Sequence, residues 1–238
     1  MSSEARGELR PSVSKRDFVL RRSTVLLVAL VSIALVAVAA PPAKPSDGFY
    51  ADVSRISPRL KRHMTGNSWH RGCPVPIRRL RLIRVSYHNF DGDRRIGKLV
   101  ANKDAVRALV RALRSMYRNG FRIRKIRLVD RYGGNDRRSM RADNTSAFNC
   151  RFVAGTNRWS EHAYGRAIDI NPVENPYVRS DGSVSPRRGL PYADRTRHAK
   201  GMIHARDATV RAFRRVGWRW GGYWRSAKDY QHFSASGH

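Results

Sequence analysis

The chain is poor in acidic residues. Over 238 residues, 18 Asp and Glu stand against 48 Lys and Arg, a formal charge of +30. Cysteine is scarcer still, with only Cys73 and Cys150. Two thiols exclude a four-thiolate zinc site. In an exported protein they read as one disulfide closing a large loop, and in a cytosolic protein as two free thiols, so compartment decides between them. No internal repeat occurs, and no RNA-binding or zinc-finger motif accompanies the positive charge. The basic residues are mostly arginine and are spread along the chain. Nucleic acid is therefore not the expected partner, and a diffuse cationic surface suits an anionic cell wall or membrane surface.

Only one stretch is long and uncharged, Thr24 to Ala40. Arg16, Arg21 and Arg22 precede it, and Ala37-Val38-Ala39 fits a small-x-small cleavage site. This is the plan of a secretory signal. The run also approaches the roughly 17–25 residues that a membrane helix needs, so an uncleaved N-terminal anchor is the alternative. Either reading exports the remainder. Residues 1–40 are thus a signal peptide or anchor. Residues 41–76 read as a linker (Pro41 to Ser46) and an irregular extension pinned by Cys73, and residues 77–238 as the folded domain.

Within that domain, Arg79 to His88 alternates as a strand, and Ile96 to Ala101 returns from the Phe90–Asp93 turn as its hairpin partner. Asn102 is placed to cap a helix whose buried stripe is Val106, Leu109, Val110, Leu113, Met116 and Tyr117, with Gly120 at its end. Phe121 to Asp130 predicts another strand, and Arg131 to Asn144 a polar loop. A second helix follows Asp207, with Val210, Phe213 and Val216 inward and Gly217 at its end. The tryptophans of Gly217–Trp224 suit either a small core or a cleft.

The chemistry gathers in Trp159–Pro172, W-S-E-H-A-Y-G-R-A-I-D-I-N-P, where His162 precedes Asp169 by seven residues. Imidazole and carboxylate both ligate zinc. The best third ligand is His232, three residues after Asp229 in K-D-Y-Q-H-F. Two His, one Asp and a position left for water is the ligand count of a catalytic zinc site. Asp229 is then the candidate general base, with Glu161 as its rival. Residues three apart on a strand face opposite ways, so Asp229 and His232 share a site only if the backbone turns between them.

Together these segments resemble the VanY-type zinc D-Ala-D-Ala carboxypeptidases and their relatives, the phage L-alanyl-D-glutamate endopeptidases. The pattern S-x-H-x-x-G-x-A-x-D is filled by Ser160, His162, Gly165, Ala167 and Asp169. The distal E/D-x-x-H and its following apolar residue are filled by Asp229, His232 and Phe233. The chain has Asp where many of those relatives have Glu. The resemblance covers about residues 140–235. It implies Zn2+ held by His162, Asp169 and His232, with Asp229 as base and Arg151 on the substrate oxygen. It also implies cleavage next to a D-amino acid in peptidoglycan stem peptides. The fold expected is α+β, a small antiparallel sheet with helices on one side and zinc on its open face. The hedgehog signalling domain shares that fold, so a non-catalytic zinc-containing wall-binding module is the competing reading.

Overall fold

A computed structural model describes residues 48–238. The signal or anchor segment and the Pro41–Ser46 linker lie outside the described residues. Among those described, no helix is long and apolar enough to cross a membrane. In chain order the elements are β1 (Ala51–Arg55), α1 (Pro58–Met64), β2 (Leu80–His88), β3 (Arg94–Asn102), α2 (Val106–Arg118) and α3 (Asp136–Arg141). They continue with β4 (Ala167–Asp169), β5 (Tyr177–Val178), β6 (Val184–Ser185), α4 (Ala208–Arg214), β7 (Arg219–Trp220), β8 (Lys228–Asp229) and β9 (His232–Ser234). The fold is α+β, but its strands form three antiparallel sheets rather than one, in the orders β1-β2-β3, β4-β9-β7 and β6-β5-β8.

The β2–β3 hairpin turns where the sequence places it. Asn89 Oδ1 accepts from the backbone N–H groups of Asp91 and Asp93, a local closure that Asn is suited to make. Residues 51–64, read from sequence as irregular, are instead an edge strand paired to β2 and a short helix. Their signal is weak because β1 is largely polar and half exposed, while α1 buries only Met64. Ser57 and Pro58 do start α1 in the expected chemical way: the Ser57 hydroxyl accepts from Leu60 N–H.

Helices α2 and α4 pack together beneath the sheets. Leu109, Leu113 and Phe213 join Ile83, Leu99, Ile168 and Phe233 in one core. Phe213 stacks on Phe233 at 4.1 Å between ring centroids, which seats β9 on α4. No residue of helix α3 belongs to that core. It takes the place of the loop expected at 131–144, opened by Asn135, whose side chain accepts from Arg138 N–H.

Two expectations change. Asn102 is the last residue of β3 rather than a helix cap, and its side chain donates to Tyr164 O. Phe121–Asp130 is no continuous strand but bridges only at Arg122 and Ile126. Side-chain amides occupy its backbone instead. Asn171 Oδ1 accepts from Arg124 N–H, and Asn144 both accepts from Arg127 N–H and donates to Arg127 O. An amide side chain satisfies a backbone group as a neighbouring strand would.

Cys73 and Cys150 form a disulfide across a separation of 77 residues. It lies in a second apolar cluster with Met64, Val75, Leu80, Val100 and Phe148. A disulfide typically stabilises a fold by roughly 2–4 kcal/mol. Titration of denatured, unreduced protein should find no free thiol, and Cys73→Ser should lower the unfolding free energy by about that amount. Two titratable thiols in protein from an oxidising compartment would contradict the bond.

The same fold carries a pH-sensitive group. Arg124 reaches Asp143 at 3.3 Å and Glu174 at 3.2 Å, and both carboxyls are buried. Burial, and then the neighbouring Asp143, push Glu174 up to about 8. Glutamate in the unfolded chain ionises near 4.5, so between these values the folded state holds more protons. The contribution of Glu174 to stability is therefore full below about 4.5 and is lost as pH rises through about 8. Glu174→Gln keeps a neutral amide and should flatten this slope. The denaturant midpoint of the parent protein should fall relative to the variant between pH 5 and 8, and parallel curves would refute the assignment.

Candidate metal centre

Strand alternation builds the centre. On β4, Ile168 joins the core while Asp169 faces away from it, and on β9 Phe233 faces in while His232 faces out. The register sets Asp169 directly opposite His232. Asp169 is also bridged to Ser146 on its other side by two backbone hydrogen bonds. His162 comes from the turn before β4. Its backbone is fixed by Ser160 Oγ, which accepts its N–H, and by Asn149, whose N–H donates to its carbonyl. Gly165 closes that turn with φ +66, and a Cβ there would lie 2.6 Å from Asn102 N. Only glycine tolerates both conditions, so the motif needs it.

The three side chains converge. His162 Nε2 lies 3.3 Å from His232 Nδ1 and 3.1 Å from Asp169 Oδ2, and His232 Nδ1 lies 3.0 Å from Asp169 Oδ1. A tetrahedral ion with ligand distances of about 2.0–2.2 Å spaces its donors about 3.3–3.6 Å apart, so the donor set fits zinc after outward shifts of a few tenths of an ångström. The remaining ring nitrogens are engaged by carbonyls: His162 Nδ1 with Ala147 O, and His232 Nε2 with His238 O at 3.1 Å. With each carbonyl accepting one ring N–H, Nε2 of His162 and Nδ1 of His232 are the nitrogens that face the centre, and they are the ones that would give up their protons to ligate a metal. Burial alone would raise the Asp169 pKa. The two imidazoles outweigh it and hold the carboxyl well below the usual range. For His232, burial acts downward but Asp169 prevails and raises it. A second grouping, His70 with Cys73 and Cys150, is the disulfide and a nearby imidazole, and bonded sulfurs are not thiolate ligands.

Asp229 and His232 lie on separate short strands, β8 and β9, with bends at Tyr230 and Gln231 between them. The turn that their spacing demands is present, and both side chains line one cavity of about 290 Å³. Asp229 Oδ1 is shut off from solvent and has no hydrogen-bond partner. Burial, then the like charge of Asp169, push its carboxyl up to about 7. A dication beside it would draw that value down again. Glu161 also lines the cavity. Arg151 lines it too, oriented by Asp136 at 2.9 Å. Asp136 was not legible in the sequence, because its role depends on α3 standing over the site. The tryptophans divide: Trp218 and Trp220 belong to the core, and Trp224 lines the cavity beside His232.

Residues 154–235 match the D-alanyl-D-alanine carboxypeptidase family model. The matched segment contains His162, Asp169, Asp229 and His232, while Arg151 lies just before it. The match supports, at family level, a metallopeptidase. No curated protein and no solved structure matches the chain.

Proposed function

We propose that the protein is a zinc-dependent peptidase that cuts a bond next to a D-amino acid in the peptidoglycan stem, in the manner of a D-Ala-D-Ala carboxypeptidase. The observation that carries this reading is an unpartnered, buried Asp229 oxygen in the same cavity as the convergent His162, Asp169 and His232. Zinc held by those three would supply a Lewis acid and make water a competent nucleophile near neutral pH. Asp229 takes a proton from the attacking water as its oxygen bonds to the carbonyl carbon. The same proton passes to the leaving nitrogen as the C–N bond breaks. Arg151, held by Asp136, faces the substrate oxygen on which negative charge develops. In this reading the chain is exported by its N-terminal apolar segment and works at an anionic wall or membrane surface, to which its positive charge draws it.

The test is mass spectrometry of products after zinc-loaded protein meets a synthetic stem pentapeptide ending in D-Ala-D-Ala. Release of the terminal D-alanine, stopped by a chelator and restored by zinc, is the expected result. A zinc-loaded protein that binds cell walls and cuts no bond in the stem peptide would instead be the non-catalytic wall-binding module.

A further inference from the structure

The cavity at the metal centre has a neighbour on its α3 side. A second concavity of about 360 Å³ adjoins it, and the two share Arg137 and Ser185. Arg137, Arg138 and Arg141 of α3 line this hollow together with Arg187, which follows β6. Its lining contains no carboxylate. Among the described residues none of the four arginines makes an ion pair with an acid. The acid nearest in sequence, Asp136, is engaged by Arg151 at 2.9 Å. The two walls are tied to each other, since Arg188 donates from the β6 side to Arg141 O at 2.9 Å.

Four like charges around one hollow repel one another, and an anion placed among them relieves that repulsion. Guanidinium groups present planar, paired donors that match a carboxylate. We propose that this hollow is an anion subsite of the cleft, receiving a carboxylate that the substrate carries away from the bond that is cut. The proposal rests on the peptidase reading above. It names the substrate rather than a separate wall polymer because the hollow lies beside the catalytic cavity, with Arg137 and Ser185 lining both. A peptide that extends from the metal centre past Arg137 and Ser185 would reach it.

Two synthetic stem pentapeptides test this. They differ only in whether the D-glutamate residue keeps its free α-carboxylate or carries a carboxamide. Calorimetric affinity and steady-state kinetics are measured for each with zinc-loaded protein. The parent protein should bind the carboxylate form about tenfold more tightly, a difference that shrinks as salt is raised. Arg138→Gln/Arg141→Gln, which retains good helix formers in α3, should erase that preference and leave affinity and turnover for the carboxamide peptide unchanged. Equal affinity of the parent protein for the two peptides overturns the subsite, even if both are cut. A preference that survives in the double variant overturns its assignment to these arginines. Tight binding of inorganic polyphosphate without discrimination between the peptides would give the hollow to a phosphate polymer. If neither peptide is cut, yet the carboxylate preference is present and disappears in the variant, the subsite stands and the peptidase reading falls.

Discussion

Replacing His162 with alanine is expected to remove zinc from the protein and turnover with it. The side chain is one of three donors whose mutual distances run from 3.0 to 3.3 Å. Among the described residues no further histidine or cysteine joins that group to stand in for it. Asp229 shares the cavity, but with one ligand gone the remaining imidazole and carboxylate form a two-donor site. Such a site holds zinc far more weakly than three protein ligands do. Elemental analysis of the purified parent protein should give about one zinc per chain. The variant should retain little after dialysis, and its residual turnover should fall by at least about 100-fold. Folding is an independent readout. The smaller side chain still fits the turn set by Gly165, and the disulfide and both apolar clusters are untouched. A folded His162→Ala protein that kept its full zinc would remove His162 from the ligand set.

The convergence of His162, Asp169 and His232 could be anticipated from the sequence, for a physical reason. His162, Gly165 and Asp169 sit within one turn and strand, where spacing fixes direction. Gly165 in particular is demanded locally by its φ and by the approach of Asn102. The Asp229–His232 spacing likewise announced a backbone break, and the bends at Tyr230 and Gln231 provide it. What sequence could not supply was anything set by long-range packing. Asp136 orients Arg151 only because α3 folds over the cavity, and α3 has a single fully buried residue, Ser139, to mark it as a helix. The strand expected at 121–130 failed for a similar reason. Its apolar pattern is genuine, since Ile123 and Ile126 are core residues, but Asn144 and Asn171 from distant segments take its backbone groups. The single sheet divides into three because the strands that bear the site are only two or three residues long. Strands that brief give almost no alternation to read.

Asp229→Asn is the second decisive change, and its expected signature is the opposite of the first: zinc retained, turnover lost. Asn has nearly the shape of Asp, so the cavity and the β8 pairing to β5 should persist. What disappears is the proton acceptor. Asp229 Oδ1 accepts no hydrogen bond and is buried beside Asp169 and the two histidines, a costly place for a carboxyl oxygen. That cost is intelligible if the group takes a proton during each cycle. Loss of a general base typically slows reaction by about 100- to 10,000-fold, and that range is the expectation for kcat on a stem-peptide substrate. KM should change little, because a proton acceptor acts on the transition state more than on binding. Asp229→Glu should retain part of the activity, since the carboxylate survives with one more methylene of reach. Zinc content and turnover must be measured on the same preparations, because the two together distinguish the possible roles. Zinc lost from Asp229→Asn would make Asp229 a ligand rather than a base. Zinc and full activity both retained would move the base elsewhere, and Glu161, which lines the same cavity, would be the next residue to change.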